Sequence, residues 1–589
     1  MLFYDFEVFK YDWLTVIFDT DNRKEHVIIN DADQLQKIYD DNKNNIWTGF
    51  NVIHYDQYIL KGILCGFDPK RINDHIIVKG KPGWSFSSLF RQVPVISYDV
   101  MLNLDKGLKW FEGSMGHDIT ETSVPFDIDR KLTDKEIQET VKYCRADVEE
   151  AIEVFLRRKE EFEGRLGLVK LACKDKPLDL SLLSKTKPQL SAIILGAVRQ
   201  DWDDEFDIDF PDTMKIEKYT AVIDWYKNDD NKCYVRHIPG KKTPEKSKID
   251  IDVAGVPHTF AWGGAHGAIK NYHGKGFFIN MDVASLYPSL MIRYSLLSRN
   301  VRDPEKYTEI KNERIRLKKL HDPLQAVLKI VLNSTYGVLK DKNNALYDPR
   351  QANRVCIYGQ LLLLDLIEKL EPYSEIIQSN TDGILIKMPA HENEDEWYSL
   401  IDDIAYEWEK RTGLELEFDE YKEIYQKDVN NYVIIPTGDL YDEKGKPRWK
   451  SKGAYVKKLS EIDYGDFPIM NEALINYMVH KIPIEKTIMN CNELKKFQYV
   501  AKITGKYKCI LHGDKEIKEK CIRVFASKDP ADNGVTKVSY RTNKPEKISN
   551  SPKKCFLFND NINGVSCPDK LDKQWYINKA KERLAGFGV

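Results

Sequence analysis

The chain has 589 residues, 42% of them hydrophobic and 31% charged. At roughly 150 residues per domain, that length predicts about four domains or large subdomains, and the composition supports a buried core and excludes wholesale disorder. The 89 basic and 92 acidic residues leave a net charge of −3, which excludes a uniformly basic coat but not a local basic patch. Charge is spread unevenly: residues 1–160 carry −7, residues 161–420 another −7, and residues 421–589 carry +11. That asymmetry predicts carboxylate chemistry early in the chain and a grip on a polyanion later.

The ten cysteines form no C-x-x-C pair and no His/Cys cluster with zinc spacing, as expected of reduced thiols in a cytoplasmic protein. The opening MLFYDFEVFK has no basic leader before an apolar run, and no apolar stretch is long enough for a bilayer. Neither a signal peptide nor a membrane anchor is expected.

The first 60 residues alternate β-like runs (LFYDFEVF, WLTVIFD, HVIIN) with turns, then a helical pattern from Asp31 to Tyr39 and another β run, IWTGFN. A strong helix, LTDKEIQETVKYCRADVEEAIEVFLRRKEEFE, closes this region with Thr133 as N-cap. Strands followed by helices predict an α/β domain over about residues 1–160. Within it Asp5 and Glu7 share a strand face, because side chains alternate. The segment Asn51-Val52-Ile53-His54-Tyr55-Asp56 adds a third carboxylate, and Tyr143 and Asp147 lie i, i+4 on the closing helix.

Two polar stretches, DWDDEFDIDF (201–210) and KKTPEKSK (241–248), read as solvated loops of a connector, and GGAHGA (263–268) as glycine-rich and flexible. A β run, GFFINMDV, then leads into a helix-like ASLYPSLMIRY; helical patterns fill 304–340 and 350–370. EIIQSNTDGILIKM reads as a hairpin around a tight turn at Thr381-Asp382-Gly383. Three segments stand out here: DVASLYPS (282–289), KIVLNSTYG (329–337) and NTDG (380–383). Asp282 ends a buried strand, where a lone carboxylate is costly unless paired or metal-bound, and Asp382 sits on the turn. Two carboxylates on neighbouring β elements can hold two divalent metals about 3.5–4 Å apart for in-line phosphoryl displacement. Lys329, Asn333 and Tyr336 share a helix face that suits a triphosphate and a base pair, and Arg314 and Lys318 form a second phosphate clamp. DVASLYPS has six informative positions, whose chance occurrence in this chain is on the order of 10⁻⁵.

These segments resemble, in order, the three polymerase motifs of family B DNA polymerases: DxxSLYPS, KxxxNSxYG and the DTD hairpin. The resemblance implies that Asp282 and Asp382 are the catalytic metal ligands, with the Val283 carbonyl helping. Tyr287 would pack under the deoxyribose and exclude a 2′-hydroxyl, with Ser285 and Leu286 in the same nucleotide site. Lys329, with Arg314 and Lys318, would bind the incoming triphosphate, and Asn333 and Tyr336 would line the nascent base pair. Asn380 stands where the motif has its first Asp. The second and stronger ligand is kept as Asp382, so activity is expected to survive with a weakened outer metal contact. Upstream, Asp5, Glu7, Asp56 and Asp147 with Tyr143 resemble the tyrosine variant of a DEDD 3′–5′ proofreading exonuclease. That implies an RNase H-like fold, two metals on the four acids, Tyr143 orienting the attacking water, and Asn51 and Tyr55 touching a single-stranded 3′ end.

GGAHGA is similar to the family's glycine motif that guides template between the two sites, with a flexible linker as the open alternative. Residues 427–432 sit where the family has a KxY element, but Asn430 replaces its Lys and only Tyr432 matches. The run 444–458 holds seven basic residues with Trp449 and Tyr455 interleaved, a salt-sensitive surface for tracking a backbone. Asp282 to Lys329 is 47 positions and Lys329 to Asp382 is 53, leaving no room for the insertions of protein-primed members. Short fingers and no terminal-protein primer are therefore expected.

The expected architecture is multidomain α/β, an RNase H-like exonuclease domain followed by a palm, fingers and thumb polymerase domain. The boundaries read as exonuclease 1–165, connector 166–262, palm 263–303, fingers 304–345, palm again 346–460, and thumb with C-terminal region 461–589. The expected activity is template-directed DNA synthesis with proofreading, using Mg²⁺ or Mn²⁺, two per site, and deoxynucleoside triphosphates. Primer–template DNA and a single-stranded 3′ end are the expected partners of a monomer, with room for accessory replication proteins. The compact size resembles phage-type or mobile-element replicases, which would work in the host cytoplasm. Two alternatives stay open: a 3′–5′ exonuclease with a degenerate palm, and a non-catalytic primer–template clamp. Tyr287 argues against RNA polymerase or reverse transcriptase activity.

Overall fold

The computed structural model describes residues 1–589 except 120, 175, 238–242, 390–393, 458 and 460–463, with backbone alone at 394–397. The chain forms two compact units. One comprises Met1–Thr186, Leu459–Ile469 and Ile488–Ile577; the other comprises Lys187–Lys458, Met470–Thr487 and Asn578–Val589. The stretch 461–589, expected as one thumb and C-terminal region, is thus divided between the units, as is the connector 166–262. The 460/461 boundary, Lys458 of the basic run and Lys241–Lys242 of the second connector stretch lie outside the described residues.

The first unit is built on a sheet of β1 (Leu2–Val8), β2 (Trp13–Asp19), β3 (Lys24–Ile29), β4 (Ile46–Gly49) and β5 (Ile96–Asp99), in the order β3-β2-β1-β4-β5. β1 runs antiparallel to β2 and parallel to β4. Strand alternation sorts β1 cleanly. Leu2, Tyr4, Phe6 and Val8 pack with Leu35 and Ile38 of α1 (Ala32–Asp41) and Ile59 and Leu60 of α2 (Asp56–Leu64). Phe3 faces the opposite way, into a cluster with Cys144, Val148, Ala151 and Val154 of α4 (Asp134–Arg157). Asp5 and Glu7 therefore share the face covered by α4. Between α2 and α4 lies α3 (Leu108–Met115). Thr133 caps α4, as the sequence predicts, and does so in a capping box with Glu136. The single helix expected through Glu163 is two: α4 stops at Arg158, whose guanidinium donates to the carbonyls of Val100 (2.6 Å) and Leu102 (2.8 Å), and α5 (Lys159–Ala172) restarts beyond it.

The second unit is built on nine strands: β6 (Lys248–Val253), β7 (Val256–Ala261), β8 (His266–Ala268), β9 (Tyr272–Val283), β10 (Glu375–Ser379), β11 (Gly383–Lys387), β12 (Leu416–Asp428), β13 (Asn431–Pro436) and β14 (Lys450–Lys452). Their order is β14-β13-β12-β9-β11-β10-β8-β7-β6. The long β9 lies between the hairpin strand β11 and β12. Its helices include α6 (Leu286–Arg293), α7 (Glu305–Lys319), α8 (Leu324–Gly337) and α9 (Pro349–Leu370), the last buried along nearly its whole length. α7 and α8 pack against each other as a helical pair.

Three expectations are corrected. GGAHGA is not a flexible linker: its second half is β8, with Gly267 opposite Ser379 and Ala268 opposite Gln378. A Cβ on Gly267 would lie 2.3 Å from the His258 ring, so glycine is there for close packing. DWDDEFDIDF is irregular and partly exposed, as a loop should be, but it is anchored: Asp204 holds Arg299 at 2.7 and 2.9 Å and Asp209 pairs with Arg354. KKTPEKSK runs into strand structure, with Glu245–Lys246 paired to Val235–Arg236 and Lys248 opening β6.

The later part of the first unit holds a four-stranded sheet and, with β16 at its centre, a three-stranded one of β15 (Tyr499–Lys502), β16 (Cys521–Ala526) and β17 (Cys555–Leu557). A C-terminal helix spans Lys573–Ala585.

Candidate active sites

In the second unit, Asp282 lies at the end of β9, half-buried, in register with Gly383 on β11 and Glu417 on β12. Asp382 is exposed in the hairpin turn, and its carbonyl accepts the Val283 N–H at 2.8 Å. The turn closes through Asn380 N–H to the Gly383 carbonyl, 2.8 Å, and the Asn380 Oδ1 accepts from Thr381 N at 2.9 Å. Burial and the neighbouring Asp382 push the Asp282 carboxyl above the usual carboxylate range, opposed by Lys450 and by a 2.7 Å hydrogen bond from Asn280. After Asp282 the chain turns sharply: Ser285 takes φ +51, a left-handed conformation strained for a non-glycine residue, directly before α6.

That turn puts Leu286 in the core and stacks Tyr287 on Tyr336 of α8, ring centroids 3.9 Å apart. The α7/α8 pair brings Arg314, Lys318, Lys329 and Asn333 onto one open cleft of about 770 Å³. Arg314 also donates to the Ser285 hydroxyl at 3.3 Å. Of the nucleotide-site residues named from the sequence, Arg314, Lys318, Lys329 and Asn333 line this cleft, Ser285, Leu286 and Tyr287 form the turn, and Tyr336 lies off the cleft against the Tyr287 ring. Tyr432 on β13 lies opposite Lys452 of β14. Burial and Asp282 raise its phenol, with Lys450 opposing. Lys450 itself bonds Asp419 at 2.6 Å. Lys450 and Glu417 went unnoticed individually, because only strand pairing places them beside Asp282. Tyr455 of the basic run packs under the cations of Lys427 and Arg583.

In the first unit, Asp5 and Glu7 meet Asp56 at the start of α2 and Asp147 on α4. The Asp56 Oδ1 accepts the Phe6 N–H at 3.0 Å, tying α2 to β1 between the two acids. Asp99 fixes the loop before α2 by accepting from Asn51 N (2.8 Å) and Ile53 N (3.2 Å), with Asn51 left-handed at φ +68. Tyr55 donates to Asn73 at 2.9 Å. Burial and mutual repulsion hold Asp5 and Glu7 well above the usual range, and burial carries Asp56 up to about 7. Burial also raises Asp147, against Lys109 and a hydrogen bond from Tyr143. Lys109, on α3, is the residue the sequence reading missed: its Nζ lies 2.5 Å from Asp147, 2.8 Å from Glu112, and over the Tyr143 ring. No local pattern marks it, since its position follows from where α3 packs.

Both sets are carboxylates, the oxygen donors that hard divalent cations take, and the ligand atoms of Asp5 and Glu7 lie within 4.8 Å of each other. The Cys144 thiol is also within 4.8 Å of the ligand atoms of Asp5 and Glu7. All ten cysteines are free thiols. Among the described residues no helix is long and apolar enough to cross a membrane.

No family model matches the chain. Two curated relatives do, both called DNA polymerase 1. That of Aeropyrum pernix is 26% identical over 178 residues, covering 24% of this chain and 18% of the relative. That of Sulfolobus acidocaldarius is 26% identical over 157 residues, covering 26% of this chain and 17% of the relative. The chain spans less than a fifth of the length of these relatives. Among solved structures, a family B DNA polymerase from Pyrobaculum calidifontis aligns over 99% of this chain and 77% of its own, at 14% identity and a TM-score of 0.39.

Proposed function

We propose that the chain is a DNA-dependent DNA polymerase that extends a primer 3′-hydroxyl and carries its own 3′–5′ proofreading exonuclease. The observation that carries this reading is that Asp282 and Asp382 come together where β9 meets the hairpin, Asp282 in register with Gly383 and the Asp382 carbonyl accepting the Val283 N–H, with Arg314, Lys318, Lys329 and Asn333 lining a cleft of the same unit. Asp282, Asp382 and the Val283 carbonyl would hold Mg²⁺ or Mn²⁺, which when bound lowers the charge on the reacting phosphate and acidifies the attacking hydroxyl. Lys329, Arg314 and Lys318 neutralise the triphosphate of a deoxynucleotide and hold it for in-line attack. Tyr287, braced by Tyr336, offers a flat ring beneath the sugar and leaves no room for a 2′-hydroxyl; Asn333 and Tyr336 flank the new base pair, and Ser285 and Leu286 complete the nucleotide site.

The acids Asp5, Glu7, Asp56 and Asp147 form the second site, where Tyr143 orients water and Lys109 offsets part of the negative charge. The order β3-β2-β1-β4-β5 supports an RNase H-like domain for it. A frayed, mispaired 3′ end would enter as a single strand, held by sequence-tolerant contacts such as Tyr55 and Asn51. The enzyme works as a monomer on primer–template DNA, without a terminal-protein primer, in replication of a phage or mobile element.

The test is extension of a labelled primer–template with Mg²⁺ and all four deoxynucleotides, run beside the same reaction without nucleotides. Extension in the first and shortening in the second is expected. Shortening in both would replace this reading by the alternative that Asn380 motivates, a 3′–5′ exonuclease with an inactive palm.

A further inference from the structure

We infer that Arg523 is a positioning residue for the acidic site of the first unit, an inference that rests on reading that site as a strand-cleaving one. Helix α3 carries both Lys109 and Glu112, so whatever fixes α3 fixes the cation on Asp147. Eight residues make a helix with little stability of its own, and its last carbonyls need partners. Gly116, at φ +86, closes part of the end with its N–H on the Gly113 carbonyl, and His117 N–H reaches Glu112.

The rest of the support comes from nearly 400 positions later. Arg523 Nε donates to the Gly113 carbonyl at 3.0 Å, Gln498 Nε2 to Ser114 at 3.0 Å, and Lys495 Nζ to Met115 at 2.7 Å. At the other end of α3 the Cys521 thiol donates to the Lys109 carbonyl at 3.3 Å, and the Trp110 indole donates to the Val500 carbonyl at 3.2 Å. Cys521 and Arg523 are two apart on β16 and so share a face, which lets one strand hold α3 at both ends. The guanidinium of Arg523 is fully buried, and its other contacts are the carbonyls of Phe558 (3.3 Å) and Asp560 (2.6 Å). Among the described residues no carboxylate lies within ion-pair distance of it. Its charge serves the negative end of a helix instead. The fit is close: a Cβ on Gly113 would lie 2.8 Å from Val500 Cγ1.

The test uses the full chain with Arg523→Met, Arg523→Lys and, from the helix side, Gly113→Ala. Digestion of a labelled single strand gives kcat and KM separately, and primer extension serves as the internal control. Arg523→Met should lower the kcat of digestion about 10–100-fold, the usual effect of removing a supporting hydrogen bond, with KM and extension unchanged. Arg523→Lys should recover part of the loss, and Gly113→Ala should act in the same direction as Arg523→Met. Hydrogen exchange over residues 108–117 should speed up in step. Wild-type digestion by Arg523→Met, equal loss of extension, no rescue by lysine, or unchanged exchange would each overturn the inference. A wild type that digests nothing would overturn the reading of the site instead, while the exchange still decides whether Arg523 holds α3.

Discussion

The carboxylate of Asp282 rests against the bare α-carbon of Gly383: a Cβ at position 383 would lie 1.9 Å from Asp282 Oδ1. The turn residue next to Asp382 is therefore a glycine because the neighbouring strand's acid occupies the space. Gly383→Ala should displace that carboxylate and cost about 1–3 kcal/mol, the range for overpacking a filled site. Thermal melting should show the loss, and extension should fall far more than digestion. Unchanged extension would mean that Asp282 does not act from this position.

The two sites use separate residues, so their losses should separate. Asp382→Ala should abolish primer extension and leave single-strand digestion intact; Asp5→Ala with Glu7→Ala should do the reverse. Loss of both activities in either variant, with the melting transition preserved, would defeat the two-site reading.

Asn380 has a local task that an aspartate performs equally, accepting the Thr381 N–H. Asn380→Asp should leave stability within about 0.5 kcal/mol, as for an ordinary surface change. It should lower the Mg²⁺ concentration needed for half-maximal extension, read from a metal titration. A higher requirement would count against a metal contact at this position.

The acids of the first unit titrate above their ordinary range, Asp56 at about 7, chiefly through burial. The unfolded chain releases those protons at about pH 4. Between about pH 4 and 7 the folded protein binds more protons than the unfolded one, so stability falls as pH rises through that window. Metal-free protein should melt at a lower temperature at about pH 8 than at about pH 5. Mn²⁺ should restore much of the difference, because it binds the ionised carboxylates of the folded state alone. Asp56→Asn should flatten the profile; a flat profile in the wild type would show that the cluster is not charged against itself.

What the sequence made legible was local. The Thr133 cap, the Tyr143/Asp147 spacing and the Lys329/Asn333/Tyr336 face each depend on residues a turn or two apart. The α7/α8 cleft was half legible, since the two basic faces could be read separately but not their meeting. Lys109, Lys450 and the strand at His266 were hidden for a common reason: each owes its place to a segment far away in sequence. Glycine disfavours strands by local propensity, so GGAHGA looked loose, and only His258 and the hairpin explain why it is straight. The acidic stretch at 201–210 looked solvated because its arginine partners come 90 or more positions later.

The division of the first unit has a consequence for how the chain is made. Its opening 186 residues leave the ribosome long before Ile488–Ile577, the segment that completes the same unit, and most of the second unit is synthesised in between. Closing so long a loop adds little entropic cost over a shorter one, because that cost grows only logarithmically with length. Time is the scarcer quantity. Helix α3 must wait, its final carbonyls uncovered, until β15 and β16 arrive. A nascent chain stalled near residue 480 should therefore hold a protease-sensitive site around Gly113 that the finished protein lacks.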